Sequence, residues 1–197
     1  MERLVADMET LLDEAGMTEP VAVVGLSMGA ATALHFGLAY PQRVRALILA
    51  SYPPGPADPA GISSRADDFA EVIEHQGLEA AGARFIWGPE SGLPSAMIAQ
   101  VRAGFLEHTG PGLAGILRGV LAKLPEPADL AQPLAETLLP TLLLHGERDA
   151  PSARASRAIG AGNPSADDKR IPDAGHVVNL DQPERFNAVL RDFLDRR

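Results

Sequence analysis

Four short segments of the chain have the length and composition of β-strands, and stretches with helical periodicity lie between and after them. The strand segments are residues 21–25, 45–50, 140–145 and 167–171. The helical segments are residues 28–39, 152–161 and 182–195, and an amphipathic helix that ends at Gly16 precedes the first strand. Strands that alternate with helices predict an α/β fold, in which helices cover both faces of a mostly parallel sheet.

The segment from about residue 52 to residue 136 departs from this alternation. It opens with the turn-rich sequence YPPGPADPAG, and helical stretches follow at about residues 66–86, 94–108 and 112–123. We predict a helical insertion that lies over the sheet and is not part of it. The domain organisation expected from this pattern is a core formed by residues 1–51 and 137–197, with a helical cap at residues 52–136.

Composition and charge exclude several classes of function. Hydrophobic residues make up 46% of the 197 residues, which is enough for one compact core. The formal net charge is −9 without a block of Lys and Arg, so we expect neither a nucleic-acid partner nor a membrane partner. The absence of cysteine rules out disulfides, thiolate catalysis and cysteine-ligated zinc, and it fits a cytoplasmic location. The sequence has neither a signal-peptide pattern at its start nor a run of about 18 apolar residues.

A polar serine stands at the junction of an apolar strand and a helix rich in small residues. The sequence GLSMG, residues 25–29, matches G-x-S-x-G in a strand-turn-helix context. The backbone of a serine in such a sharp turn is strained, so we expect Gly25 and Gly29 to be needed on either side. The turn directs the Ser27 hydroxyl out of the carboxyl end of the sheet, and it offers the Met28 N–H to an oxyanion. We therefore predict that Ser27 is a nucleophile and that Met28 contributes to an oxyanion hole.

Two residues that can activate a serine follow later strands. A serine hydroxyl is a poor nucleophile unless a histidine removes its proton and a carboxylate orients that histidine. Asp149 follows the strand at 140–145, and His176 follows the strand at 167–171. Because parallel strands end on the same edge of a sheet, these side chains can converge with Ser27 at one cleft.

A structural role is the alternative for each of these residues. Serine is a common residue at a helix N-cap, which is the structural alternative for Ser27. Aspartate is common in turns and caps, which is the alternative for Asp149. Asp173 and, less well placed, Asp58 compete with Asp149 as the acid. The other histidines are interpreted as structural or solvent-facing, and their spacing matches no metal-binding motif; they are His35, His75, His108 and His145.

Three passages together resemble the alpha/beta hydrolase superfamily: VAVVGLSMGAATALHFGLAYPQRVRALILAS, PTLLLHGERDAPS and IPDAGHVVNLDQPERFNAVLRDFL. They cover both ends of the chain, and the middle resembles the family only in its position, where relatives insert a helical cap. The resemblance is closest to cap-bearing esterases and lactonases. It implies Ser27 as the nucleophile, Asp149 as the orienting acid and His176 as the general base, in the chain order typical of the motif.

The resemblance implies a serine hydrolase that cleaves a small carboxylic ester or lactone through an acyl-enzyme, without a cofactor. Relatives with the same triad also cleave thioesters and carbon–carbon bonds next to a ketone, so the type of bond stays open. The alternative is a non-catalytic, hydrolase-like binding or interaction module.

The beginning of the chain departs from the family pattern. Relatives have several strands before the nucleophile strand, and a loop among them, often beginning His-Gly, supplies a second oxyanion donor. Residues 1–20 contain one predicted helix and no such loop. The strand at 21–25 has no polar alternation, so we expect it to be buried on both faces and paired on both sides. We therefore expect an alpha/beta hydrolase fold that is incomplete at its amino terminus, or an edge covered by another chain, as in a homodimer.

Overall fold

The computed structural model describes residues 1–59, 61–88 and 93–196. Four strands and nine α-helices occur in these residues. The strands are β1 (Val21–Leu26), β2 (Val44–Ala50), β3 (Thr141–Gly146) and β4 (Ala166–Ile171). The helices are α1 (Glu2–Glu14), α2 (Met28–Ala39), α3 (Ala66–Phe85), α4 (Ser95–Leu106), α5 (Gly110–Gly119), α6 (Ala131–Thr137), α7 (Ala150–Gly160), α8 (Val178–Asp181) and α9 (Pro183–Asp195). A bilayer-spanning helix is not found in the described ranges.

The chain divides into two compact units. The first comprises Met1–Pro54 and Pro125–Arg197 and contains the sheet, and the second is Gly55–Leu124 and contains α3, α4 and α5. Residues 125–136, which the sequence analysis assigns to the cap, lie with the first unit. The reason is that α6 and the short 3₁₀ helix before it (Pro127–Leu130) pack against helices of that unit. A capping role for the second unit stays a prediction.

The sheet has the strand order β1-β2-β3-β4, and every neighbouring pair is parallel. Each predicted strand lies within one residue of an observed one. The predicted α/β fold with a parallel sheet is therefore confirmed. Because all four strands run in the same direction, their carboxyl ends lie along one edge of the sheet, and the residues that follow them are neighbours.

Helices cover both faces of the sheet. One face packs against α8 and α9 around a buried cluster: Ala46, Ile48, Ala50, Leu142, Leu144, Ile171, Ala174, Val178 and Phe193. On the other face, α2 packs against β1 and β2, and α7 packs against β3 and β4. Side chains alternate between the two faces of a strand, so the apolar runs at residues 46–50 of β2 and 142–144 of β3 serve both layers.

Strand β1 differs from the expectation that it is buried on both faces and paired on both sides. It pairs only with β2 within the described ranges, and the Val24 side chain is 48% exposed. The expectation is wrong for the described residues because none of them forms a strand beyond β1, so one face of this edge strand contacts solvent. Formation of a homodimer along this edge stays a prediction.

In the described residues of the second unit, all regular structure is helical. Helix α3 kinks at Gly77, whose φ of 83° and ψ of 173° suit glycine alone. Four aromatic rings of this unit contact one another: Phe69 lies 4.5 Å from Phe85 and 6.0 Å from Phe105 between ring centroids, and Trp87 meets Phe105 edge-on at 5.3 Å. These aromatic side chains pack on one another, so they contribute to the apolar contacts within this unit.

Arg43 ties α1 to the start of β2. Its guanidinium donates to Glu9 Oε1 at 2.5 Å, to Asp13 Oδ1 at 2.9 Å and to the Met17 carbonyl at 2.9 Å. The Arg43 side chain is only 15% exposed. Three charge-assisted bonds from this mostly buried side chain hold the amphipathic α1 beside the start of β2.

We predict that Arg43→Ala lowers the midpoint of thermal unfolding more than Arg102→Ala does. Arg102 pairs with Glu79, and both of these side chains are at least half exposed, so this pair contributes little. Circular dichroism melting curves of the two variants and the wild type provide the measurement. Equal shifts in the two variants would contradict the role given to Arg43.

Candidate active site

Ser27 lies in the sharp turn between β1 and α2. Its φ of 54° and ψ of −119° form a combination that non-glycine residues rarely adopt. Such strain costs about 1–3 kcal/mol and persists only where the surrounding structure imposes it. The Ser27 N–H donates to the Ala50 carbonyl at the end of β2 at 2.9 Å, and its carbonyl accepts from the first turn of α2. The side chain makes no capping bond to α2, so the N-cap alternative does not account for the hydroxyl.

The two glycines around Ser27 have different roles. A Cβ at Gly25 would lie 2.1 Å from the Gly29 carbonyl oxygen, a backbone atom that cannot move aside. A Cβ at Gly29 would meet no atom within 4 Å. The expectation that both positions need glycine for space is therefore correct for Gly25 and wrong for Gly29. The space beside Gly25 is occupied by the backbone of residue 29. That backbone is present whichever residue stands at position 29.

The structure brings Ser27, His176 and Asp149 into one hydrogen-bonded series at the carboxyl edge of the sheet. His176 Nε2 lies 3.0 Å from Ser27 Oγ, and His176 Nδ1 lies 2.7 Å from Asp149 Oδ2. With its proton on Nδ1, the ring donates to the carboxylate and accepts the serine hydroxyl at Nε2. The Asp149 side chain is 7% exposed and that of His176 is 42% exposed, so the acid is buried while the imidazole remains accessible.

Asp149 is held as an ionised acid. It follows β3 and caps α7, where Oδ1 accepts the Ser152 N–H at 3.2 Å. Burial acts to raise the pKa of Asp149, but the hydrogen bond to His176 and the bonds from Ser152 outweigh it, and the pKa lies below its ordinary value. The cap role and the contact with His176 are compatible, because each uses a different carboxylate oxygen.

Asp173 and Asp58 are the acids that compete with Asp149 in the sequence. Asp173 occupies a turn with a φ of 58°; its N–H donates to Glu147, and its Oδ2 lies 3.3 Å from Arg185 Nη1. Asp58 belongs to the second unit. Of the two candidate acids in the first unit, Asp149 is the one that bonds to His176.

Met28 is the first residue of α2, directly after Ser27. Its N–H has no acceptor among the described residues, as is usual for the first donors of a helix. The positive end of the helix dipole adds to the attraction of this N–H for an anion. Residues 1–20 form α1 and a turn into β1, so the described chain before β1 has no His-Gly loop that could supply a second donor.

The remaining histidines stand apart from this series. His145 is buried at the end of β3, and its Nδ1 has no hydrogen-bond partner in the described ranges. Burial lowers the pKa of His145. Burial likewise lowers the pKa of His35 on α2, while His75 and His108 are exposed. The described residues contain no group of three or more His, Asp and Glu arranged to hold a metal ion.

Sequence reasoning missed one acid at this site. Asp181, at the end of α8, accepts the Gly175 N–H at 2.5 Å, next to His176. An acid just before the start of a helix at Pro183 indicates a cap, and no periodicity links Asp181 to the histidine loop. The contact depends on how the loop folds back on α8.

Comparisons with known proteins point to one family. A model of the alpha/beta hydrolase family matches residues 1–189. A Bacillus subtilis protein that bears the name of a 2-succinyl-6-hydroxy-2,4-cyclohexadiene-1-carboxylate synthase is 30% identical over 199 residues, which cover 98% of this chain and 72% of that protein. The pimeloyl-[acyl-carrier protein] methyl ester esterase of Yersinia enterocolitica is 29% identical over 187 residues, which cover 86% of this chain and 67% of the esterase.

Solved structures show the same fold. An esterase from Thermogutta terrifontis superposes with a TM-score of 0.79 at 28% identity, covering 98% of this chain and 71% of the esterase. MenH from S. aureus superposes with a TM-score of 0.83 at 24% identity, covering 99% of this chain and 75% of MenH.

We predict that Gly25→Ala lowers the free energy of unfolding by at least about 2 kcal/mol, because the new methyl group collides with backbone. Gly29→Ala is the matched control. It leaves the stability unchanged or raises it by up to about 1 kcal/mol, because alanine is the better helix former. Urea denaturation measures both variants. Equal destabilisation by the two substitutions would contradict the assignment of the steric constraint to Gly25.

We predict that the stability contributed by the Asp149 carboxylate persists to low pH. Its pKa is lower in the folded than in the unfolded chain, so the contribution is complete above the unfolded value and disappears as the pH falls through the folded value. The difference in unfolding free energy between the wild type and Asp149→Asn should therefore narrow only below about pH 4.

Urea denaturation at a series of pH values measures this difference. The control is Asp173→Asn, which changes an exposed acid and keeps a residue that tolerates positive φ. If the difference in unfolding free energy between the wild type and Asp149→Asn narrowed between neutral pH and about pH 5, a lowered pKa of Asp149 would be contradicted.

Proposed function

The chain belongs to the alpha/beta hydrolase family, and we propose that it is a serine hydrolase that cleaves a small carboxylic ester or lactone through an acyl-enzyme. The observation that carries the proposal is the hydrogen-bonded series from Ser27 Oγ through the His176 imidazole to the Asp149 carboxylate. Nucleophile, base and orienting acid are connected in that order in hydrolysis by an activated serine.

The named relatives support hydrolase activity. They include pimeloyl-[acyl-carrier protein] methyl ester esterases and the 3-oxoadipate enol-lactonase 1 of Acinetobacter baylyi, which is 26% identical over 198 residues. Methyl esters and enol-lactones share an acyl carbon bonded to an oxygen leaving group. The common chemistry of these relatives favours an oxygen ester, open or cyclic, as the substrate of this chain.

In the proposed acylation step, the three side chains act in turn on the ester. His176 Nε2 takes the Ser27 proton while Oγ forms a bond to the carbonyl carbon of the ester, and the carbonyl oxygen becomes an oxyanion. The Met28 N–H donates to that oxyanion. The ionised Asp149 stabilises the imidazolium. Its pKa lies below the ordinary value despite burial, so the carboxylate keeps its charge at neutral pH. The imidazolium then passes its proton to the leaving oxygen as the carbon–oxygen bond breaks, which leaves an acyl group on Ser27.

Deacylation repeats the same steps with water. The neutral His176 removes a proton from a water molecule as the water oxygen attacks the acyl carbon. The second tetrahedral intermediate collapses, Ser27 Oγ recovers the proton from the imidazolium, and the carboxylic acid leaves. With a lactone, the alcohol and the acid leave as one molecule. The proposed mechanism uses no cofactor.

A non-catalytic binding module is the second candidate, and one observation favours it. The described residues before β1 provide no His-Gly loop, and the loss of one oxyanion donor typically reduces turnover by about 10²–10³. The strained Ser27 backbone favours the enzyme, because a binding module gains nothing from a costly turn that presents a hydroxyl.

We predict that a serine-directed phosphonate labels Ser27, and that Ser27→Ala abolishes both the labelling and the hydrolysis of a short-chain aryl ester. The loss of turnover should be at least about 10³-fold, because the nucleophile, base and acid act as one unit. Intact-protein and peptide mass spectrometry locate the label, and release of the aryl alcohol measures turnover.

Ser165→Ala is the matched control. Ser165 lies just before β4, at the amino-terminal edge of the sheet, whereas Ser27 lies at the carboxyl-terminal edge. Ser165→Ala should therefore be labelled and turn over the ester as the wild type does. Equal labelling and turnover in the wild type and Ser27→Ala would refute Ser27 as the nucleophile. A wild type that shows neither labelling nor turnover would favour the binding module.

A further inference from the structure

The loop that carries His176 has no regular secondary structure between the end of β4 and the start of α8. The position of its imidazole therefore depends on contacts made by the residues just before it. The Ala174 carbonyl accepts the Arg148 N–H at 2.9 Å, and the Gly175 N–H donates to Asp181 Oδ2 at 2.5 Å. Asp181 thus provides a side-chain anchor for the peptide unit that enters His176.

Asp181 is not an incidental surface acid. Its side chain is 3% exposed, and its Oδ1 has no hydrogen-bond partner in the part of the chain that the structure describes. Withdrawing a carboxylate from water is costly unless bonds to the charged group compensate for it. The compensation recorded here is the Gly175 N–H and the Arg148 guanidinium, whose Nη2 lies 3.8 Å from Asp181 Oδ2. The Asp181 carboxylate is therefore buried at the place where it bonds to the histidine loop.

The loop of the acid and the loop of the base form one framework. Arg148, which directly precedes Asp149, bonds through its N–H to Ala174 and lies through its guanidinium beside Asp181. The backbones also touch, since a Cβ at Gly146 would lie 2.2 Å from the Gly175 carbonyl oxygen. A displacement of Gly175 would therefore move His176 relative to both Asp149 and Ser27.

We propose that Asp181 is a positioning residue, which holds His176 in line with Ser27 by accepting the Gly175 N–H. This inference rests on the proposed function. Asp181 acts through the backbone and does not touch the reacting atoms, whereas Asp149 orients the ring itself. Small misplacements of a reacting group can cost about 10²-fold in rate, so an anchor on the adjacent peptide unit affects turnover more than substrate binding.

The test compares Asp181→Ala, Asp181→Asn and the control Asp192→Asn. Alanine removes the acceptor of the Gly175 N–H. Asparagine has the same shape as aspartate and keeps an acceptor oxygen, but it carries no charge. Asp181→Asn should therefore keep the fold and retain more turnover than Asp181→Ala. Asp192 is an exposed acid on α9, 72% accessible, and its substitution removes the same charge away from the loop.

Three quantities are measured: kcat per active site, KM for the aryl ester, and the exchange rate of the Gly175 amide proton by NMR. Titration with the phosphonate gives the concentration of active sites. In Asp181→Ala we expect kcat to fall by about 10–100-fold with KM within about 2-fold, and the Gly175 amide to exchange faster. For Asp181→Asn, kcat and the Gly175 exchange rate should lie between the values of Asp181→Ala and those of the wild type. Asp192→Asn should match the wild type in all three quantities.

An unchanged kcat per titrated site in both Asp181 variants, with only a lower melting temperature, would overturn the inference in favour of a purely structural acid. Unchanged Gly175 exchange in Asp181→Ala would overturn it as well, because the contact would then not restrain the loop. Both results leave an active wild type and the proposed function intact. A wild type without labelling or turnover would overturn the proposed function and, with it, this inference.

Discussion

The candidate site depends on one steric constraint, the backbone contact between the end of β1 and the start of α2. The strand meets the helix so closely that no side chain fits at Gly25 against the Gly29 carbonyl. This approach holds Ser27 at a positive φ, and the bond from its N–H to Ala50 fastens the turn to β2. A wider turn would relax the serine backbone and carry its hydroxyl away from His176. The cost of the strain is spread over a sheet and a helix that are both well packed.

Two buried carboxylates act on one histidine in different ways. Asp149 contacts the imidazole, and Asp181 contacts the peptide unit before it. Ion pairs on the surface, such as Arg102 with Glu79, contribute little because water screens both charges. Buried carboxylates instead demand directed donors, and the N–H groups of Ser152 and Gly175 meet that demand. The same bonds that make these charges tolerable also define where the ring lies.

The parallel sheet explains why residues so distant in the sequence meet. Ser27, Asp149 and His176 each follow a strand, and the strands end on the same edge. The chain is similar to esterases, to a lactonase and to a carboxylate synthase by name, so similarity of fold alone does not select the substrate. The proposed ester chemistry therefore follows from the hydroxyl, the imidazole and the carboxylate, and not from the fold alone.

The sequence by itself determined the four strands, the helices between them and the turn at Ser27, because hydrophobic periodicity and turn-forming residues are local properties. It also singled out Ser27, Asp149 and His176, although Asp173 remained a rival for the acid. Only the tertiary structure decided that Asp149 contacts the imidazole, that Gly29 needs no empty space, that one face of β1 is exposed, and that Asp181 anchors the histidine loop. Each of these depends on which atoms meet when distant segments pack, and no local pattern encodes that.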